Sequence, residues 1–208
     1  MKNMDIKRVK EGLRWRVWRR LEEAGVTLPP KPCYGRIPNF KGAYEAALKA
    51  SSLPEWTSAR VVFANPDSPQ KPLRAMALKQ GKLLIMATPR LRKGFLEVEP
   101  SRVKGRESAA ATIRGAFKYG KLCETVRYKP DLVVTGCVAV DRSFNRLGKG
   151  GGYGDREIGL IKELYGPDIP VLTTIHDLQL IESIPTEPHD FKVDIVVTPS
   201  RILRRRPG

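Results

Sequence analysis

The sequence predicts an α/β protein: a three-layer, mainly parallel sheet with a helical arm at its N-terminus. Three observations predict it. Short apolar runs ("ARVVFAN", "KLLIMAT", "DLVVTGCVAV", "IPVLTTI", "DIVVTPS") alternate with helix-like stretches, the pattern of strands buried on both faces. The first forty residues stand apart, with one amphipathic stripe followed by prolines. No internal repeat or low-complexity linker divides the 208 residues, which are enough to bury a proper core, so residues 1–208 read as one domain.

Taken in order, Ile6, Val9, Leu13, Val17, Leu21 and Ala24 recur at steps of three and four and predict the first helix, stopped by Gly25. Pro29, Pro30 and Pro32 make an extended connector. A second helix is expected over Lys41–Ala50 with Asn39 as its cap. Then come strand "ARVVFAN", helix "PLRAMALKQG" closed by Gly81, strand "KLLIMAT" and the short strand "FLEVEP". The small-residue helix "ESAAATIRGAFKYG" ends at Gly120, and "DLVVTGCVAV" is the most strand-like segment. Helix Tyr153–Leu164, strand "IPVLTTI" and a last strand "DIVVTPS" complete the body. Ligands of such sheets gather beyond the carboxyl ends of the strands, near Asn65–Gln70, Thr88–Arg92, Gly136–Lys149, His176–Gln179 and Pro199–Arg201.

Composition excludes several classes. With 41% hydrophobic and 29% charged residues, wholesale disorder is ruled out, and the apolar runs are too short to span a bilayer. The charged N-terminus has no apolar segment behind it, and Cys33, Cys123 and Cys137 are scattered without a CxxC; a cytoplasmic protein with reduced, buried thiols is expected. The net charge of +16 attracts polyanions: RNA through a basic surface, or a small, highly charged ligand. Trp15, Trp18 and Trp56 read as packing residues rather than base-stacking platforms.

The chemistry concentrates in "NRLGKGGGYGDREIGL". Gly148, Gly150, Gly151 and Gly152 end where a helix begins, where bare backbone admits a phosphate to the helix amides, and Arg146 and Lys149 add charge beside them. A glycine-rich hairpin without a ligand is the alternative. The run is neither GxxxxGK[ST] nor a dinucleotide fingerprint directly after a strand. Asp155 falls in the first helical turn, either complementing the helix dipole or serving as a magnesium ligand.

"GCVAVDRSFNRLGKGGGYGDREIGL", followed by Gln179-Leu180 and "IPTEPHDFKVDIVVTPSRIL", resembles the 5-formyltetrahydrofolate cyclo-ligase family, also called methenyltetrahydrofolate synthetases, in a branch like the synthetase-domain-containing proteins. The resemblance is tight over the C-terminal third and loose elsewhere. It implies a fold of the ribose-phosphate isomerase/CoA-transferase type and an ATP- and magnesium-dependent reaction. In that reaction the formyl oxygen of the folate is phosphorylated, the second folate nitrogen attacks, and phosphate leaves. It further implies a nucleotide site built from Lys10 and Arg14 on the first helix, Arg146, Gly148 to Gly152 with Lys149, and Tyr153, with Arg146 and Tyr153 as candidate catalytic residues and Asp155 as the metal ligand. On the residues alone, Lys10 and Arg14 read equally as a solvated basic face. Two departures stand out: Gly154 replaces the second tyrosine of the family's run, and the folate-side glutamate after the first central strand has only Asp67 and Gln70 as imperfect substitutes. His189 is expected to be a satisfied loop histidine, and His176 lies at a strand's carboxyl end.

Overall fold

The apolar stripe near the N-terminus forms helix α1 (Lys2–Glu23), the first element of a computed structural model that describes residues 2–206. Leu13, Val17, Trp18 and Leu21 are buried, whereas Val9 faces solvent and Lys10 turns inward. The prolines lie between β1 (Thr27–Leu28) and β2 (Asn39–Phe40), an antiparallel pair. Helix α2 (Ala43–Ser51) is capped by Gly42 in the left-handed conformation, at φ 92°. Asn39 is not its cap; it belongs to β2, and its Nδ2 donates to the Pro29 carbonyl at 2.9 Å.

Then follow α3 (Pro54–Thr57), β3 (Val61–Ala64), α4 (Lys71–Lys79), β4 (Leu83–Ala87) and β5 (Phe95–Val98). The small-residue segment divides into α5 (Glu107–Ala110) and α6 (Ile113–Tyr119), because the Thr112 hydroxyl accepts from the Gly115 amide and starts a new helix. Strand β6 (Lys121–Cys123) precedes β7 (Leu132–Thr135), and β8 (Ala139–Asp141) precedes β9 (Arg146–Leu147). "DLVVTGCVAV" is therefore two strands broken at Gly136, not one. Helix α7 (Tyr153–Tyr165) leads to β10 (Val171–Thr174), β11 (Leu180–Ile181), β12 (Ile195–Val197) and β13 (Ile202–Arg204). "DIVVTPS" is consequently followed by one further strand.

Among the described residues, eight strands form the main sheet in the order β13-β12-β10-β7-β3-β4-β5-β6. The strands β12, β10, β7, β3 and β4 pair in parallel, and antiparallel strands flank both edges. Numbered by their place in the chain, the parallel strands run 2-1-3-4-5, which puts the topological switch between β3 and β7.

Side-chain alternation divides the core. Val62, Ala64, Leu132 and Val134 face a layer that includes Phe40, Trp56 and Leu73, whereas Phe63 and Val133 face Ile158 and Ile161 of α7. Truncating a fully buried aromatic such as Trp56 or Phe63 to alanine costs about 3–5 kcal/mol. A third cluster joins Leu13, Val17 and Leu21 of α1 to Val138 and to Ala139 and Leu147 of the small sheet β11-β8-β9. The helical arm is thereby fixed beside the strand ends at the switch. All three cysteines are buried and free; burial pushes the Cys33 thiol up to about 12 and the Cys137 thiol to about 11, which keeps them unreactive.

Candidate active site

At the switch point the chain leaves β3 and β7 in different directions and opens a cavity. Asn65 and Asp67 follow β3, Gly136 follows β7, and the glycine run with the start of α7 closes the other side.

The glycine side is built for an anion. Gly152 caps α7 at φ 69° with no side chain satisfying the first amides, and Gly150 turns at φ 110°. Open amides at a helix start attract negative charge. Arg146, buried on β9, donates Nη1 to the Gly136 carbonyl at 3.2 Å and sets Nη2 2.6 Å from Asp155 Oδ2. Its Nε has no partner, an orphaned donor in the wall of the cavity. Burial works against the Arg146 charge, and Asp155 more than offsets it, raising the guanidinium above its ordinary value. Lys149 Nζ stands 3.8 Å from Asp67 Oδ1. Arg14 brings α1 to the same place: its Nε donates to the Gly148 carbonyl at 2.7 Å, and a Cβ on Gly150 would lie 3.5 Å from its guanidinium carbon. The Tyr153 ring covers Gly151, with Arg156 5.5 Å from the ring centre. Arg14, Arg146, Lys149, Tyr153 and the glycines are thus brought together.

Two expected residues are otherwise engaged. Lys10 lies between Asp190 Oδ2 and Glu187 Oε2, at 2.6 and 2.8 Å. Burial would lower its ammonium, but the two carboxylates hold it above the ordinary value. Lys10 therefore neutralises the 187–190 loop rather than lining the cavity. Asp155 is not an open metal ligand: Oδ2 pairs with Arg146, and Oδ1 accepts from the Phe191 amide at 3.1 Å. Asp155 thus serves to hold Arg146 and the Phe191 amide, and a magnesium ion at Oδ2 would have to compete with the Arg146 guanidinium.

The histidines and Trp15 also need correction. His176 caps a short turn, its Nδ1 accepting from the Leu178 amide at 3.1 Å, and burial lowers its pKa; it does not line the cavity. His189 is exposed, 3.8 and 3.9 Å from Asp190 and Glu187, rather than satisfied within its loop. Trp18 and Trp56 are packing residues, but Trp15 is 47% exposed and lies on Tyr34 with ring centres 5.2 Å apart.

The sequence reading missed Glu157 and Arg74, and named Asn65 only as the start of a strand-end segment. Glu157, on the second turn of α7, is buried and accepts from Asn65 Nδ2. Desolvation, then the neighbouring Asp67, pushes its carboxyl up to about 8. Burial also raises Asp67, against the pull of Lys149, Arg74 and Arg146. Arg74, buried on α4, donates to the carbonyls of Ala111, Asn65 and Asp67 at 2.6 to 2.8 Å and holds the loop after β3 in place. The only signal for Glu157 was a charge on the apolar side of an amphipathic helix.

The 5-formyltetrahydrofolate cyclo-ligase family model matches residues 6–199. The chain belongs to that family. A methenyltetrahydrofolate synthase domain-containing protein of Bos taurus is 36% identical over 203 residues, covering 93% of this chain and 53% of the relative. The chain thus spans about half the length of the curated relatives it matches most fully. A 5-formyltetrahydrofolate cyclo-ligase of Mycolicibacterium smegmatis is 37% identical over 71 residues, 34% of each chain. The Aquifex aeolicus 5,10-methenyltetrahydrofolate synthetase structure superposes with a TM-score of 0.62 at 22% identity, covering 96% of this chain and 94% of the other. The fold is accordingly an α/β fold with a mainly parallel central sheet, like that of the synthetase.

Within this cyclo-ligase fold the glycine at 154 has a local cause. A Cβ there would stand 2.9 Å from Arg146 Nη1, so the bare backbone lets the guanidinium lie across the first turn of α7.

Proposed function

We propose that the protein is an ATP-dependent cyclo-ligase that closes 5-formyltetrahydrofolate, or a related formyl-pterin, to the 5,10-methenyl form. One observation carries the reading: a single cavity at the sheet's switch point brings open helix-start amides, Arg146 and Lys149 together with the carboxyl groups of Asp67 and Glu157. Gly148 to Gly152, Lys149, Arg146 and Arg14 are the residues that would hold the nucleotide phosphates. ATP, when bound, supplies the phosphoryl group that turns the formyl oxygen into a leaving group. The chain's own part is positioning and charge neutralisation. Arg146, held by Asp155 and with its Nε still without a partner, is placed to meet charge on the transferred group, and Tyr153 lines the same cavity. Magnesium enters with the nucleotide in this reading, because Asp155 is already paired with the Arg146 guanidinium.

The test is incubation of purified protein with 5-formyltetrahydrofolate, ATP and magnesium, watching for the methenyl chromophore. Its formation, dependent on ATP, is the expected result; a protein that binds ATP and makes no methenyl product overturns the reading. A second reading, an RNA-binding relative on the same fold, is favoured by the exposed Trp15–Tyr34 pair on a strongly basic chain.

A further inference from the structure

Beside the glycine run the cavity carries groups that phosphate chemistry does not use. Glu157 is only 3% exposed and is pinned by Asn65 Nδ2. Asp67 lines the same wall. Behind them Gln70 is fully buried; its Nε2 is spent on the Thr174 carbonyl and hydroxyl, both at 3.2 Å, and its Oε1 has no partner. That oxygen and Asp67 Oδ2 converge on Gly136, where a Cβ would lie 2.8 and 2.7 Å from them. The bare backbone of a cavity-lining residue thus makes room for two acceptor oxygens. A buried acceptor left without a donor is costly, and a ligand that brings an N–H removes that cost.

The two sets of groups in the cavity therefore sort a ligand by polarity. Donors and cations meet its anionic part at Gly148–Gly152, and acceptors meet a part rich in N–H groups. Glu157 lies one turn beyond Tyr153 on α7, so one rigid helix sets both halves. We propose that Glu157, with Asp67 and Gln70 beside it, recognises the adjacent N–H donors on the fused ring of the substrate, the carboxyl group coming from α7. Giving up its proton as the ligand's N–H groups arrive, the carboxylate takes two neighbouring donors in a fork, which fixes the plane of a ring as well as its position. The inference rests on the cyclo-ligase reading of the same cavity and names the residue that would read the pterin edge.

The experiment measures binding of 5-formyltetrahydrofolate and of ATP, separately, to the full chain and to Glu157→Gln, a change that keeps volume. Thermal melting shows that the variant is folded. The expected result is at least a tenfold loss of folate affinity with ATP affinity within twofold. A folate analogue without the 2-amino group should bind the unaltered protein at least tenfold more weakly and lose nothing further in Glu157→Gln. Asp67→Asn, as a second variant, should also weaken the folate by about tenfold. Unchanged folate affinity in Glu157→Gln, or losses from analogue and variant that add independently, overturns the inference and leaves the cyclo-ligase reading intact. No folate binding by the unaltered protein overturns both.

Discussion

Glu157 makes the stability of the protein depend on pH in an unusual direction. A carboxyl raised from 4.5 to about 8 keeps its proton in the folded state over a range where the unfolded chain has lost it. The folded state then binds more protons, so stability falls as pH rises from 4.5 through 8, the reverse of an ion-paired carboxylate. Asp67 works with burial in this direction, while Arg146 and Lys149 oppose it. Glu157→Gln should flatten that fall and stabilise the protein by roughly 2–4 kcal/mol at alkaline pH. Urea titrations at mildly acidic and alkaline pH check it; parallel losses in both proteins would show that Glu157 is ionised in the fold. Gly154 supplies a second residue-scale prediction. Gly154→Tyr restores the family's tyrosine but drives a side chain into the Arg146 guanidinium, so Arg146 should leave Asp155. Nucleotide affinity should fall about tenfold, roughly 1.4 kcal/mol, in a calorimetric titration. An unaltered or improved affinity would mean that Arg146 can move without loss.

At the scale of elements, α1 separates two arginine- and lysine-based roles that its spacing made look alike. Arg14 touches the glycine run, whereas Lys10 serves the 187–190 loop. Arg14→Ala should therefore weaken ATP binding by about 1.5–3 kcal/mol with little change in stability. Lys10→Ala should lower stability by unpairing Asp190 and Glu187, with ATP affinity nearly kept. Equal losses of ATP affinity in both variants would return Lys10 to the phosphate site. The parallel strands were legible because each is an unbroken apolar run buried on both faces, and the glycine run because close backbone approach leaves few choices of residue. Strand β13 was not, since "ILR" at an edge has neither length nor alternation. The break after β7 was hidden because both halves are apolar and the turn is set by where Gly136 meets Arg146. Arg74 and Glu157 were illegible for one shared reason. Polar residues in these elements read as surface until tertiary contacts bury them.

Across the whole molecule, the charge of +16 is not accounted for by the cavity, whose arginines and lysine are largely balanced by Asp155, Asp67 and Glu11. The excess is on the surface. Arg8, Arg16 and Arg19 of α1 are exposed around Trp15, which lies against Tyr34. A stacked aromatic pair among cations suits single-stranded nucleic acid, with about 1–3 kcal/mol for each base stacked. A surface that neutralises several phosphates must lose affinity steeply as salt rises, because binding releases condensed counterions. A compact triphosphate site built from amides and enclosed arginines should depend on salt far less. The two sites can therefore be separated in one protein by titrating ATP and a single-stranded RNA oligonucleotide at low and moderate salt. ATP affinity should survive the change, RNA affinity should collapse, and Trp15→Ala should weaken RNA about tenfold without touching ATP. RNA binding that survives moderate salt, in a protein that does not bind ATP, would instead make the basic face the functional site and the cavity a remnant of the family's fold.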